Sequence, residues 1–336
     1  MILITGITGL LGAHLAATLI MNNQKVRGFA RASSKKDVLQ KVFSYYQIED
    51  RLSEIDWKIG ELSDIFSIEE ALAGIDTCYH SAAMVSFAPQ DKNEMMKINV
   101  EGTTNMVNAA LYMKTAKFCF VSSTAAFGVS HNTDIITEKI NWKNSPYNSN
   151  YAISKYLSEK EVWRAYEEGL NTVIVNPSII LGPGNWESGS GNIFKTCSKG
   201  LKFYTEGSNG FVDVRDVVNM MISLCEKEKF GEKYIISGHN LKLKELFGSI
   251  QEKLGVAQPT IKAGKFATEI AWRWEWLKSL IIGNKPLITK ETVRNAHLTR
   301  NYDNSKSVKD TGLNYRMMED TIDYNCQLFL KDFPSK

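Results

Sequence analysis

Cysteine, histidine and net charge are all scarce in this chain, and each shortage removes a class of function. The five cysteines (Cys78, Cys119, Cys197, Cys225 and Cys326) are odd in number, scattered, and nowhere spaced as CxxC. They read as reduced thiols of a cytoplasmic protein, not as a disulfide framework. The five histidines do not gather with acids or cysteines at ligand spacing, so no metal site is expected. Lys plus Arg number 40 against 37 for Asp plus Glu, a net charge of +3. That balance leaves no basic excess to neutralise a nucleic acid or an anionic membrane surface. No uninterrupted apolar run reaches the ~18 residues of a membrane-spanning helix. The first strand begins at the first residue, so no signal or transit peptide is expected ahead of it. Internal repeats and low-complexity tracts are also lacking.

What is present is an alternation of strand-like and helix-like segments, the pattern of a parallel sheet with helices on both faces. Lys25–Ala30, Asp56–Ile59, Asp76–His80, Lys117–Ser122 and Asn171–Asn176 read as strands after the first. Ile68–Leu72, Asn99–Leu111 and Tyr151–Glu168 carry helical spacing of apolar residues. Beyond Asn176 the pattern breaks at Pro177, Gly182, Pro183 and Gly184, and Trp186–Gly191 is a Gly/Ser-rich loop. Phe211–Val214 and Lys233–Ile236 read as short strands returning to the sheet or its edge. The expected fold class is therefore α/β, a doubly wound parallel sheet with a smaller, mostly helical C-terminal lobe. At 336 residues the chain suits two closely joined parts. We place 1–177 with about 211–239 in a dinucleotide-binding domain, and about 178–210 with 240–330 in a substrate lobe.

The chain opens MILITGITGLLG, an apolar strand followed by Gly6, Gly9 and Gly12, with helical spacing from His14 to Met21. A strand that feeds a helix through glycines presents backbone N–H groups and a helix N-terminus to a pyrophosphate. Gly6 permits the tight turn, Gly9 a close approach of phosphate, and Gly12 close packing of helix on strand. NAD sites of this type place an Asp or Glu about 20 residues further on, to bind the ribose 2′-OH. No acid occurs between Gly12 and Asp37. The second strand ends instead in Arg31, Ser33, Ser34, Lys35 and Lys36, a set suited to a 2′-phosphate. NADP(H) is favoured, with NAD(H) as the alternative.

Tyr151 and Lys155 form a YxxxK pair at the start of a helical stretch, one turn apart on one face. An ammonium beside the phenol is expected to lower its pKa from ~10 towards neutrality, so that it can hand a proton to a carbonyl oxygen. Tyr156–Lys160 and Tyr302–Lys306 match the same spacing, but Tyr156 points about 140° round the helix and Tyr302 lies far from the alternating region. The strand ending at Ser122 runs into Ser123 and Thr124, hydroxyls at the carboxyl end of a strand, where open α/β sheets bind ligands.

These pieces together resemble the extended short-chain dehydrogenase/reductases, the NAD-dependent epimerase/dehydratase superfamily. The resemblance runs through TGITGLLG at 5–12, HSAAMV at 80–85, INVEGTTNMVNAA at 98–110 and VSSTAAFG at 121–128. It continues through YAISK at 151–155, NPSIILGPG at 176–184 and FVDVRDVV at 211–218. It implies Ser123, Tyr151 and Lys155 as catalytic residues, Thr124 as a stand-in for Ser123, and Lys155 also on the nicotinamide ribose. It implies cofactor contacts from Gly6, Thr8, Gly9, Leu10, Leu11 and Gly12, with Arg31 and Lys35 at the adenosine ribose. Glu61 and Leu62 fall at the adenine, although Asp is more usual than Glu61 there. His80, Ser81, Ala82 and Ala83 would line the pyrophosphate and nicotinamide side, Pro177 and Ser178 the carboxamide, and Asn99 would be mainly structural.

Sugar-nucleotide members tend to carry Arg where this chain has Asn176, and another just ahead of the 211–218 strand, where Gly207–Gly210 has none. A diphosphate normally meets cations, so the motifs lie closer to the dihydroflavonol-reductase-like and 3β-hydroxysteroid-dehydrogenase-like branches. The expected activity is NADPH-dependent reduction of a ketone or aldehyde in a small, largely apolar substrate. The alternatives are a nucleotide-sugar epimerase or dehydratase with tightly bound NAD, and a non-catalytic NAD(P) sensor. Candidate pocket residues are Met84, Val85, Phe87, Thr124, Ile179 and Leu181, with Trp186, Phe194, Phe203 and Tyr204 beyond them. The aromatic stretch Trp272, Trp274 and Trp276 to Ile282 is read as packing or a subunit contact, since Arg273, Glu275 and Lys278 interrupt it. Homodimerisation through helices near 99–112 and 151–168 is the assembly expected from relatives.

Overall fold

Strands that are apolar on both sides need cover on both faces, and the first half of the chain folds accordingly. The computed structural model describes residues 1–129, 135–282 and 290–334, with backbone alone for 276–282 and 291. β1 (Ile2–Thr5) leads into α1 (Leu10–Met21), β2 (Val26–Ala30) into α2 (Asp37–Tyr45), and β3 (Asp56–Ile59) into α3 (Ile65–Leu72). β4 (Thr77–His80) is followed by α4 (Lys92–Met96), a π-helical turn at Lys97–Glu101 and α5 (Gly102–Tyr112). β5 (Lys117–Val121) precedes α6 (Asn150–Glu167), and β6 (Thr172–Pro177) precedes β7 (Ile179–Leu181) and α7 (Gly191–Ser198). The chain then forms β8 (Phe203–Tyr204), β9 (Ser208–Asp213), α8 (Val214–Glu226), β10 (Glu232–Ile236), β11 (His239–Lys242) and α9 (Leu243–Lys253). β12 (Ile261–Lys262), α10 (Lys265–Ile282), α11 (Lys290–Asn295), α12 (Ser305–Thr311) and α13 (Met318–Asp332) complete the described strands and α-helices.

Seven strands form one parallel sheet in the order β10-β6-β5-β4-β1-β2-β3, a doubly wound Rossmann-type α/β fold. Because successive strand residues point to opposite faces, each strand feeds two cores. Ile4, Cys119, Val121, Val173 and Val175 enter one core with residues of α1, α2 and α8. Leu3, Phe118, Phe120 and Ile174 enter the other with residues of α3, α5 and α6. The strand order reverses between β1 and β4, so the loops leaving their carboxyl ends open a crevice there.

The second half departs from the sequence reading in several places. Lys233–Ile236 does join the large sheet, as β10 beside β6. The segment read as Phe211–Val214 becomes β9, which pairs with β7 and β11 in a separate three-stranded sheet. That sheet carries a third core, in which Leu181, Trp186, Phe194 and Phe211 pack on Leu246, Ile250, Ile322 and Phe329. Asp332, at the end of α13, ties this part back to the first. Its carboxylate accepts from Lys41 Nζ at 2.7 Å, Tyr45 Oη at 2.5 Å and Trp186 Nε1 at 2.7 Å. We propose the division into cofactor domain and substrate lobe on this separate core. Four helices went unread in the sequence: α2, α4, α7 and α8. In the aromatic stretch Trp272 is half-buried and Trp274 is 69% exposed, while the side chains from Trp276 to Ile282 lie outside those described.

Helix α1 can lie against β1 only because residue 12 is glycine. A Cβ there would sit 2.3 Å from the Gly6 carbonyl oxygen, which is backbone and has nowhere to retreat. Gly12→Ala is therefore expected to lower unfolding stability by about 1–3 kcal/mol, as overpacked sites do, read as a lower urea midpoint with unchanged slope.

Candidate active site

The crevice is built from the ends of β1, β4, β5 and β6. Gly6 has φ of +69°, and a Cβ on it would lie 2.7 Å from the Ala82 nitrogen, so the glycine turn and the β4 loop touch through backbone. Ser81 Oγ donates to the Thr5 carbonyl at 2.7 Å, and the Ala82 N–H donates to Thr5 Oγ1 at 3.2 Å. Gly9 takes the N-cap position of α1, where no side chain caps the helix. The first-turn N–H groups, with Thr8 and Leu10 half-buried beside them and Leu11 buried, thus face the crevice as a helix N-terminus does towards an anion. This cradle, closed to any Cβ at positions 6 and 12, fits the pyrophosphate of a dinucleotide.

The adenosine-side candidates lie at the ends of β2 and β3. Arg31 and Lys35 are exposed in the turn after β2, where the Ser34 N–H donates to the Arg31 carbonyl at 2.9 Å. Lys36 is diverted, its Nζ 3.7 Å from the Trp57 ring centroid. Glu61 is exposed, and Leu62 is half-buried against Gly102 and Asn105. His80 does not line the crevice: it is fully buried against the rings of Phe118 and Phe120, with Nδ1 2.7 Å from Thr5 Oγ1. Burial lowers its pKa to about 3, with the Lys155 ammonium adding to the effect.

At the other end of the crevice Ser123 caps the short 3-10 turn Thr124–Phe127, its Oγ accepting from the Ala125 N–H at 3.1 Å. Ser149 caps α6 in the same way and places Tyr151 in the first turn. The Tyr151 and Ser123 side chains hydrogen-bond, whereas Thr124 is buried, so Ser123 rather than Thr124 is the hydroxyl at the tyrosine. Lys155 is 3% exposed; its Nζ donates to the Val121 carbonyl at 2.8 Å and lies 5.0 Å from the Phe120 centroid.

The titration differs from the sequence expectation. Burial pushes the Tyr151 phenol up to about 12, with the Ser123 hydrogen bond opposing, and Lys155 is not what sets it. The buried ammonium has instead taken a strand-end carbonyl. Its own pKa falls to about 8 through burial, with Glu159 acting against the fall. The competing YxxxK pairs are absorbed elsewhere: Tyr156 stacks on Trp142 at 4.4 Å, and Tyr302 is buried in a small cluster with Phe127, Ile136 and Ile235.

The candidate substrate wall divides. Val85 is 61% exposed, Met84 and Ile179 are half-buried, and Phe87 lies 6.1 Å from the Tyr151 ring in a T-shaped pair. Phe203 is 56% exposed on β8, opposite Ile261. Trp186, Leu181 and Phe194 are corrected: all three are core. Trp186 is 2% exposed, packed edge-on to Phe194 and Phe329 with its N–H on Asp332, because a large ring with one polar edge is best buried where that edge finds an acceptor. Pro177 and Ser178 are buried at the end of β6. Asn99 sits in the π-helical turn and clamps the Met84 backbone, accepting from its N–H at 2.7 Å and donating to its carbonyl at 2.9 Å.

Sequence reasoning overlooked Glu159 and left Asn176 as a mere absence of Arg. Glu159 extends the Tyr151, Lys155 series by another turn, a spacing that would have flagged it. Asn176 is fully buried, its amide donating to the Ser123 carbonyl at 3.0 Å and to Glu159 at 2.5 Å. Tertiary structure brings the backbone of Arg300 beside the Gly207–Gly210 segment. The Arg300 N–H donates to the Ser208 carbonyl at 3.2 Å, and its guanidinium reaches Asn295 at 3.3 Å.

Residues 2–237 match the model of the NAD dependent epimerase/dehydratase family. The chain is 30% identical over 263 residues to sterol demethylase protein B of Methylococcus capsulatus, covering 77% of this chain and 76% of that one. It is 28% identical over 319 residues to a putative dihydroflavonol 4-reductase of Synechocystis, covering 92% and 89%. The crystal structure of gox2253 superposes with a TM-score of 0.82 at 28% identity, over 100% of this chain and 99% of that one. A UDP-glucose 4-epimerase of Thermotoga maritima shares the fold, with a TM-score of 0.78 at 21% identity and 99% of each chain covered. The chain belongs to the NAD dependent epimerase/dehydratase family, as an NAD(P)-dependent oxidoreductase of the extended short-chain dehydrogenase/reductase type.

Proposed function

We propose that this protein is an NADPH-dependent reductase of a ketone or aldehyde carried on a small, largely apolar molecule. The observation that carries the reading is the surroundings of Tyr151: an aromatic edge from Phe87, exposed Val85 nearby in sequence, and an Asn176 turned into the interior. Similarity to a putative dihydroflavonol 4-reductase and to a sterol demethylase protein supports it. Gly6, Gly9 and Gly12 with Ser81 and Ala82 would hold the pyrophosphate, and Pro177, Ser178 and Lys155 the nicotinamide end. The cofactor, when bound, supplies the hydride. Ser123 and Tyr151 both direct hydroxyls at the substrate oxygen. Burial keeps Tyr151 a phenol through the neutral range, so at that pH it is a proton donor; the charge of Lys155 offsets the phenolate left behind. Arg31 and Lys35 would pair with the 2′-phosphate.

The epimerase or dehydratase reading has the shared fold of the epimerase above in its favour, and an arginine, Arg300, whose backbone pairs with Ser208. Purified protein that retains NAD(H) through dialysis would favour that reading. Among the described residues no helix is long and apolar enough to cross a membrane. The five cysteines are buried and unpaired, which supports a reducing, cytoplasmic setting. Exposed Tyr112 on α5 and Tyr166 on α6 support homodimerisation through that face.

Tyr151→Phe is expected to lower kcat for carbonyl reduction by about 10²–10⁴-fold or more while NADPH affinity stays near the parent value; retained turnover would remove Tyr151 from the role. Arg31→Ala is expected to weaken NADPH binding about tenfold or more and to leave NADH binding nearly unchanged, as read by fluorescence titration. Equal loss of both cofactors rules out recognition of the 2′-phosphate by Arg31.

A further inference from the structure

Three walls of the candidate site meet on one carboxylate. Glu159 lies one turn beyond Lys155 on α6 and is 4% exposed. Its Oε1 accepts from Ser122 Oγ at 2.5 Å and from Asn176 Nδ2 at 2.5 Å. Ser122 directly precedes Ser123, and the same Asn176 amide donates to the Ser123 carbonyl at 3.0 Å. Asn176 in turn directly precedes Pro177 and Ser178. The carboxylate therefore joins the helix of Tyr151 and Lys155 to the strand ends that carry Ser123 and the post-strand motif.

A buried carboxylate is costly unless cations and donors surround it. The charged groups facing Glu159 are Lys233 from β10 and Lys155 from its own helix. Burial pushes the carboxyl up, and Lys233, the Ser122 and Asn176 hydrogen bonds and Lys155 pull it down. The groups facing Lys155 are Glu159 and, from β4, His80, whose imidazole is neutral through the physiological range. Of these two, Glu159 is the group that acts to keep Lys155 protonated.

We propose that Glu159 is a positioning residue: its carboxylate holds Lys155 as the ammonium and fixes the strand end that presents Ser123 to Tyr151. This rests on the roles assigned above to Tyr151 and Lys155. Loss of the charge lets Lys155 deprotonate at lower pH, and proton transfer from Tyr151 then proceeds without an ammonium charge in the site to offset the phenolate. In the reductive direction the active form is lost as pH rises through the Lys155 pKa, so the alkaline limb of the pH profile moves to lower pH.

The test titrates Lys155 directly, by NMR of the full chain carrying ¹³C-labelled lysine, with Lys155→Met identifying the resonance. The parent midpoint is expected at about 8. Glu159→Gln, which is isosteric, should lower it by roughly a unit or more with melting temperature and NADPH affinity close to the parent. Ser122→Ala, which removes a hydrogen bond and keeps the charge, should move it by less than about half a unit. An unmoved midpoint in the Gln variant, or an equal fall in Ser122→Ala, overturns the proposal. A second measurement needs no folded Gln variant: the ¹³C signal of Glu159, assigned through Glu159→Asp, must be that of a carboxylate at neutral pH, and a protonated acid there overturns the proposal. The alkaline limb of NADPH-dependent carbonyl reduction should follow the lysine midpoint, in kcat more than in KM. A parent protein without carbonyl turnover overturns the reductase reading alone, because the lysine titration still decides Glu159.

Discussion

The closest backbone approach in the crevice, between residues 6 and 12, governs what the rest of the molecule can do. With the Gly6 carbonyl 2.3 Å from where a Cβ on residue 12 would stand, α1 starts almost on top of β1. That contact points the free N–H groups of the first helical turn into the gap where the strand order reverses. The β4 loop closes on the other side, again through backbone, at Ala82. A site assembled from main chain recognises what all dinucleotides share, so the loop itself is indifferent to the 2′ position and to the substrate. In the function proposed above, those distinctions fall to side chains at the ends of β2, β5 and β6.

The chemistry at the far end of the crevice depends on burial. Tyr151 is held as a phenol and Lys155 is brought near its own deprotonation, both by loss of water. Each shift is a liability by itself: a phenol that cannot ionise is a poor partner in proton transfer, and a neutral amine cannot stabilise a phenolate. Glu159 opposes the second shift, while its hydrogen bonds knit the ends of β5 and β6 together. Geometry and charge are set by the same atoms, which is how a site on strand ends can be both rigid and tuned.

Most of the large sheet was legible in the sequence, because strands buried on both faces appear as short apolar runs and their boundaries fell within a residue of β2, β3, β4, β5 and β6. Helix α2 was not, since its polar start follows a basic loop that draws attention to cofactor charge instead. Trp186, Leu181 and Phe194 show the limit for pocket residues. An apolar side chain reads the same whether it faces a ligand or a core, and only the third core settled these three as interior. Arg300 shows the converse: the Gly207–Gly210 segment at the start of β9 has no arginine in sequence, yet a β-bridge from Ser208 to Thr299 brings the backbone of one alongside.

The sequence by itself determined the cofactor class, the glycine turn, the Tyr151–Lys155 pair and the family, since each is a matter of residue type at fixed local spacing on one strand, one turn or one helix face. Tertiary structure alone decided that Ser123 and not Thr124 meets the tyrosine, that His80 is a core residue, and that Asn176 and Glu159 share a bond under the site. Those facts depend on which buried polar groups find each other across strands distant in the chain. Burial, which sets the protonation of Tyr151 and Lys155, is likewise a property of the packed molecule and has no local signature.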